Sequence, residues 1–137
     1  MSEDKIHFKL ITHEKVVFEG DVDEIYTKGT EGEFGILPNH VPFMSALAIC
    51  VTKIVANGEA TYFATMGGVF QFIDNNAVLL TEEADNGKDI DTTAAKAEKE
   101  KLEARQGGGE SQKDAQKANK ALAMALARFK AAMNQTN

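Results

Sequence analysis

The chain has 137 residues, of which 43% are apolar and 26% charged, and its formal net charge is −6. That size fits one globular domain, or one domain with an appendage, and the acidic balance argues against general nucleic-acid binding. No apolar run approaches the roughly 20 residues that a membrane-spanning helix needs. The acidic start Met1-Ser2-Glu3-Asp4-Lys5 reads as neither a secretory signal nor a transit peptide. The one cysteine, Cys50, cannot form an internal disulfide and suits a reducing compartment.

Charge and composition divide by position. Residues 1–90 hold 6 Lys, no Arg and 15 Asp or Glu, a charge of −9, whereas residues 91–137 hold 9 Lys or Arg and 6 acids, a charge of +3. Every Val and Ile, and every aromatic residue except Phe129, precedes residue 91. The remainder is dense in Ala, Lys, Glu and Gln, which favour helix, while β-branched and aromatic residues suit sheets. The expected fold is therefore α+β, with strands first and helices second and a boundary near residues 84–91.

Strands are expected at Ile6–Ile11, Val16–Glu19, Glu24–Lys28, Ala48–Ala56, Glu59–Thr65, Val69–Ile73 and Ala77–Thr81. Ile6-His7-Phe8-Lys9-Leu10 alternates apolar and polar side chains, the period of a strand with one buried face. Asn57-Gly58 predicts a tight hairpin, and Gly67-Gly68 and Asp74-Asn75-Asn76 predict the next two turns. Seven or more short strands at this spacing favour a sandwich or flattened barrel.

The remainder reads as a helical hairpin. Asp91 is placed to cap a first helix running to about Arg105, which Gly107-Gly108-Gly109 would end. Ser111 and Asp114 resemble a capping box for a second helix. In it Ala115, Ala118, Leu122, Ala125, Leu126, Phe129 and Met133 recur at steps of three and four, an apolar stripe. Lys113, Lys117, Lys120, Arg128 and Lys130 supply its positive charge, either as a solvated face or as a docking surface. The first helix has a poorer stripe, mostly alanine. Burial of alanine removes little area from water, at about 25 cal/mol per Å², so the hairpin is expected to be marginal unless it docks.

Catalytic constellations are weak. His7, His13 and His40 lack metal-ligand spacing, and Cys50 lies within an apolar strand, more a buried small hydrophobe than a nucleophile. Glu82-Glu83 reads as solvated charge. Gly29, Gly32 and Gly35 match no nucleotide-binding pattern. Residues 29–43 stand out because they hold three glycines and both prolines of the chain. Those residues specify a shaped, rather rigid loop, displaying Glu31 and Glu33 at one end and Asn39-His40 at the other, with Phe34, Ile36 and Leu37 as anchors. It is either a connection that needs special turns or a functional surface.

The stretch Glu31-Gly32-Glu33-Phe34-Gly35-Ile36-Leu37-Pro38-Asn39-His40-Val41-Pro42 closely resembles the signature loop of the epsilon subunits of F-type ATP synthases. Met66-Gly67-Gly68-Val69-Phe70-Gln71-Phe72 resembles that family's glycine-pair hairpin, and Phe18-Glu19-Gly20 ahead of Val22 and Ile25 is a third match. The resemblance implies an N-terminal β-sandwich of about ten strands over residues 1–86 and a C-terminal antiparallel two-helix hairpin over 87–137. It implies a non-catalytic central-stalk subunit that binds the gamma subunit and sits on the c-ring. Glu31 and Glu33 would contact the c-ring, and Phe34, Gly35, Pro38, His40 and Pro42 would form the signature loop and gamma contact. An extended hairpin would bring Lys113, Lys117, Lys120, Arg128 and Lys130 to the alpha/beta catalytic head and restrain ATP hydrolysis.

Some members of that family bind ATP through an Ile/Leu-Asp-x-x-Arg-Ala pattern. Here Ile90-Asp91-Thr92-Thr93-Ala94-Ala95 has Ala94 in place of the arginine, and the other positions fall on Lys101, Met124 and Arg128. With two guanidiniums missing, tight ATP binding by the isolated chain is not expected, no cofactor is assigned, and Asp91 is most simply a helix cap. The lack of a transit peptide favours a bacterial protein, peripheral on the cytoplasmic face of the inner membrane. The alternatives are a ligand-binding β-sandwich with a helical interaction tail and, on weaker grounds, a small hydrolase.

Overall fold

The computed structural model describes residues 4–104 and 112–136, with side chains over 4–104 and 116–135. Eight strands come first: β1 (Ile6–Ile11), β2 (Val16–Val22), β3 (Glu24–Gly29), β4 (Gly32–Ile36), β5 (Phe43–Ala56), β6 (Glu59–Ile73), β7 (Asn76–Leu80) and β8 (Ala84–Asn86). A short 3-10 turn at Gly87–Asp89 leads to helices α1 (Thr92–Ala104) and α2 (Gln112–Thr136). The expected helix end at Arg105 and Gly107-Gly108-Gly109 lies outside the described residues, as does Ser111, and so does the side chain of Asp114.

The strands hydrogen-bond in the order β2-β1-β7-β6-β5-β3-β4, with β8 also on β6. Among the described strands only β1 and β7 run parallel. Val22 of β2 and Ile36 of β4 come from opposite ends of this path, yet both belong to one buried cluster with Phe8, Phe63, Phe70 and Phe72. The two ends of a sheet can share a core only if the sheet folds over itself, which makes a sandwich. β6 passes between the two layers: Val69–Ile73 pairs with β7, whereas Phe63–Thr65 pairs with β8. With β5 following β6 through the same bend, the eight continuous strands fill about ten strand positions.

The glycine pair corrects one sequence expectation. Gly67-Gly68 does not reverse the chain, because the β5–β6 ladder runs from Phe43↔Phe72 to Ala56↔Glu59 and omits only the pair opposite Ala48. Gly67 and Gly68 have φ of +70° and +109°. Such angles bend a strand while leaving most of its ladder intact. The two tight turns fall where expected. Asn57-Gly58 has φ of +53° and +82°, and Asp74-Asn75 has +49° and +61°, the positive pair that a primed hairpin turn requires.

The connection read as residues 29–43 contains a strand that sequence pattern did not reveal. β4 pairs with β3 from Ile25↔Ile36 to Gly29↔Gly32, which satisfies backbone groups that a loop would leave to water. β5 likewise begins at Phe43 rather than at Ala48. Within the layers a hydroxyl chain crosses the core, with Thr52 Oγ1 at 2.9 Å from Thr27 and 3.0 Å from Thr65. These partners satisfy three buried polar groups that would otherwise cost stability. Cys50, half-buried, lies 3.4 Å from the Thr27 hydroxyl at the flank of this chain.

A methyl group on Gly68 would lie 1.8 Å from the Leu80 carbonyl oxygen. Gly68→Ala therefore meets both a forbidden contact with backbone and an unfavourable φ. The expected outcome is a loss of about 3 kcal/mol or more in urea unfolding, or failure to fold; a loss below about 1 kcal/mol would show that the bend is not specified there.

Candidate functional site

The Gly/Pro segment is built from both layers. Glu31 sits in the two-residue turn between Gly29 and Gly32, and exposed Glu33 lies on β4 opposite Lys28. Phe34 is half-buried, its ring 4.8 Å from Phe43 and 5.5 Å from Phe70, so it anchors β4. Ile36 is buried. Leu37 is 53% exposed and does not anchor anything, contrary to the sequence expectation. The reason is geometric: adjacent residues of an extended segment point to opposite faces. Gly35 lies against the Tyr26 ring. Pro38 is half-buried and Pro42 exposed.

His40 orders its own loop. Its Nδ1–H donates to the Val41 carbonyl at 2.7 Å, and its backbone N–H donates to Leu37 at 3.3 Å. The ring meets Phe43 and Phe72 edge-on at 5.9 Å each. Asn39 fastens the loop to the β6–β7 turn, since its N–H donates to Asn75 Oδ1 at 2.6 Å and Asn75 Nδ2 donates back to Asn39 Oδ1 at 3.0 Å. Sequence reading saw Asn75 only as a turn residue. His7 lies apart on β1, between Glu19 at 2.9 Å and Asp21 at 3.2 Å. Hydrogen bonds to Glu19 and then Asp21 hold its pKa above the ordinary histidine value. His13 is exposed in the β1–β2 turn.

A second surface was missed from sequence. Val69, Gln71 and Ile73 share one face of β6, opposite Leu80 and Val78 of β7 and Met44 of β5. Met44 is 66% exposed, and Val69, Ile73, Val78 and Leu80 are also exposed. Their alternate neighbours Phe70, Phe72 and Leu79 fill the core. The result is a three-strand apolar face turned to solvent, the kind of patch that marks a protein interface. The available signal was the absence of polar alternation in Val69-Phe70-Gln71-Phe72-Ile73.

The hairpin lies against the sandwich. Asp91 caps α1 as expected, its Oδ1 accepting from Thr93 N at 2.9 Å and Ala94 N at 3.3 Å. Lys101 is exposed on α1. The stripe read on α2 has a second one behind it. Met124, Ala127 and Ala131 form a buried cluster with Ala64 of β6, flanked by Ile49, Val51, Tyr62, Met66 and Ile90. These positions lie on the opposite side of a 3.6-residue helix from Leu122, Ala125 and Phe129, and Phe129 is covered by the Lys99 ammonium of α1 at 4.9 Å. Met133 is 40% exposed, so the first stripe does not bury its last member.

Arg128 fixes the register of α2 on the sandwich. Its Nε donates to Asp85 at 2.8 Å and its terminal nitrogen donates to Glu83 at 2.9 Å. Partial burial disfavours the charge, but the hydrogen bond and charge of Asp85, followed by Glu83, outweigh it and raise the pKa further. Near the helix end, Gln135 accepts from Tyr62 N at 2.9 Å and donates to the Ala60 carbonyl at 3.2 Å. Of the basic candidates on α2, Lys117, Lys120 and Lys130 are exposed, Arg128 is engaged within the chain, and the side chain of Lys113 lies outside those described. Met124 is buried, and Asp91 caps α1, Lys101 lies along α1, and Arg128 is on α2.

The half-buried Arg128 pair is worth about 1 kcal/mol. Arg128→Ala is expected to speed amide exchange in α2 roughly fivefold while leaving β5 and β6 unchanged. Unaltered α2 exchange would show that apolar contact alone holds the helix.

Residues 5–87 match the family described as ATP synthase, Delta/Epsilon chain, beta-sandwich domain. Among curated relatives, the ATP synthase epsilon chain of Nitratidesulfovibrio vulgaris (strain DP4) is 38% identical over 128 residues, covering 93% of this chain and 96% of that one. That of Syntrophomonas wolfei is 33% identical over 132 residues, covering 96% of each. Among solved structures, a chain of the Euglena gracilis mitochondrial ATP synthase OSCP/F1/c-ring aligns with a TM-score of 0.79 at 19% identity, over 98% of this chain and 82% of that one. A chain of the Tetrahymena thermophila mitochondrial ATP synthase central stalk and c-ring aligns at 0.61 and 17% identity, over 96% and 98%. The sandwich and its helical hairpin are thus the fold of known ATP synthase subunits, and the chain belongs to the ATP synthase epsilon chain family.

Proposed function

We propose that this chain is a non-catalytic rotor subunit of the central stalk of ATP synthase, coupling ion flow through the c-ring to ATP synthesis. The observation that carries the reading is the apolar outer face of β5, β6 and β7, around Met44, Val69 and Leu80. A lone sandwich gains nothing from exposing it, whereas a stalk subunit needs a desolvating contact with a neighbour that turns with it. On this reading that neighbour is the gamma subunit, and the signature loop from Phe34 to Pro42 borders the contact. His40 then serves by holding the loop in shape.

The c-ring contact falls to the acidic β3–β4 hairpin, with Glu31 at the turn and Glu33 beside it. Carboxylates set against basic polar loops would resist slippage of the rotor, an electrostatic contact weakened by salt. Residues 1–86 form the rotor-seating part and residues 87–137 the regulatory part. The sandwich-bound hairpin is then a resting state. Release of α2 would free Arg128 from Asp85 and Glu83 and present it, with Lys113, Lys117, Lys120 and Lys130, to the alpha/beta catalytic head. No helix among the described residues is long and apolar enough to cross a membrane. The subunit would be held at the cytoplasmic face of a bacterial membrane through its partners.

The reading is tested in the assembled enzyme, where affinity purification of this chain should bring down gamma and the catalytic head. Glu33→Lys should weaken ATP-driven proton pumping in membrane vesicles severalfold while leaving ATP hydrolysis by the soluble head unchanged. Full pumping would remove Glu33 from the coupling contact. Deleting residues 91–137 should raise ATP hydrolysis of the assembled enzyme about two- to tenfold, the effect of a coupling free energy near 1 kcal/mol. No rise would leave the hairpin without an inhibitory role.

A further inference from the structure

Among the described residues other than glycine, four have a left-handed backbone, and two of them meet. Asn39, in the loop of residues 37–42, has φ of +71°, and Asn75, in the β6–β7 turn, has +61°. Glycine takes such angles at no steric cost, so the backbone at neither position requires a side chain. Both residues nevertheless carry an amide, and each amide is used on the other residue. Asn39 N–H donates to Asn75 Oδ1 at 2.6 Å, and Asn75 Nδ2 donates to Asn39 Oδ1 at 3.0 Å. Asn75 is in turn fixed to the sheet, because its carbonyl accepts from the backbone N–H of His7 on β1 at 2.8 Å. Asn39 Nδ2 donates to Asp4 at 2.8 Å. Segments far apart in the chain thus end at one clasp.

The clasp stands where the loop meets the apolar outer face. Ile73, just before the β6–β7 turn, and Met44, just after Pro42, are both exposed on that face. Between them the loop presents Leu37 and Val41, each more than half exposed. An apolar side chain on an untethered loop gives little to a docking contact, since ordering it offsets what its burial yields. From the reciprocal amide pair we propose that Asn75 is a positioning residue for the partner contact, holding residues 37–42 as a preformed rim of the apolar face. Leu37 and Val41 then dock already ordered. His40 fixes the same loop from the core side through Phe43 and Phe72, and Asn75 fixes it to the neighbouring turn. This role rests on the reading of gamma as the neighbour.

The test compares Asn39→Gly, Asn75→Gly and the double variant with Asn57→Gly. Each substitution keeps the positive φ and removes an amide. Asn57, at the far end of the β5–β6 hairpin, controls for the freedom that glycine adds to the unfolded chain. Two quantities are read: amide exchange in the isolated full-length chain, and affinity for a catalytic head that carries gamma but has been stripped of this chain. Asn75→Gly should speed exchange at Asn39, His40 and Val41 and weaken binding to the head about fivefold, the scale of ordering one or two side chains. Asn39→Gly should do the same, and the double variant should lose no more than either single one, as one shared contact requires. Asn57→Gly should bind within about twofold of wild type, being remote from the loop. Undiminished binding in Asn75→Gly, additive losses in the double variant, or an equal loss in Asn57→Gly would overturn the positioning role and leave the stalk reading in place. Failure of the wild-type chain to bind the head would overturn both.

Discussion

The bend at Gly67-Gly68, opposite Ala48, is the constraint on which the remaining architecture rests. Without it β5 and β6 would be a long flat ribbon of 14 and 15 residues, whose aromatic side chains could not face β1 and β3 at once. The bend carries Phe63 and Phe70, on one continuous strand, into a single core from two layers. It requires a backbone that accepts positive φ and a residue with no Cβ where Leu80 passes. Two glycines meet both demands at the cost of strand propensity, which the ladder on either side offsets.

Beyond the bend, residues 62–66 of β6 are covered on both faces. Phe63 points into the sandwich, while Tyr62, Ala64 and Met66 face α2. An antiparallel strand with no polar face must be covered twice, and α2 supplies the second cover. That cover is thin. Ala127 and Ala131 approach closely but exclude little area from water, and the backbone at Gly87 lets Ala131 come near. Register therefore falls to polar groups at the margins: Arg128 on Asp85 and Glu83, and Gln135 on the β6 backbone. An interface of small residues guided by polar anchors is specific without being strong, the combination that the proposed release of α2 requires.

The order of strands and helices was legible because every Val and Ile, and every aromatic residue except Phe129, precedes residue 91. The Asn57-Gly58 and Asp74-Asn75 turns were equally readable, since few sequences tolerate two successive positive φ angles. Gly67-Gly68 misled because a glycine pair marks positive φ, which serves a bend as well as a reversal. β4 was hidden because Gly32, Gly35 and Pro38 suppress strand propensity locally, and only pairing with β3 restores it. The second face of α2 was present in the spacing of Met124, Ala127 and Ala131. It could not be distinguished from helix-forming alanine until something lay opposite.

Motif and surface carry different kinds of information about this chain. The Gly/Pro segment identified the family, yet in the fold much of it is internal engineering: Phe34 and Ile36 hold β4, His40 holds its own loop, and Asn39 grips Asn75. What it leaves outside is the Glu31–Glu33 tip and the Leu37–Pro42 rim. The apolar face of β5–β7 has no such motif, because any exposed apolar residue at an alternate strand position serves desolvation equally well. Recognition by sequence thus favours residues whose backbone geometry admits few substitutes, and the docking energy resides in residues that have many. The net charge shows the same separation. The acidic sandwich draws Arg128 to Asp85 and Glu83, so the opposite signs of the two halves attract each other within one chain.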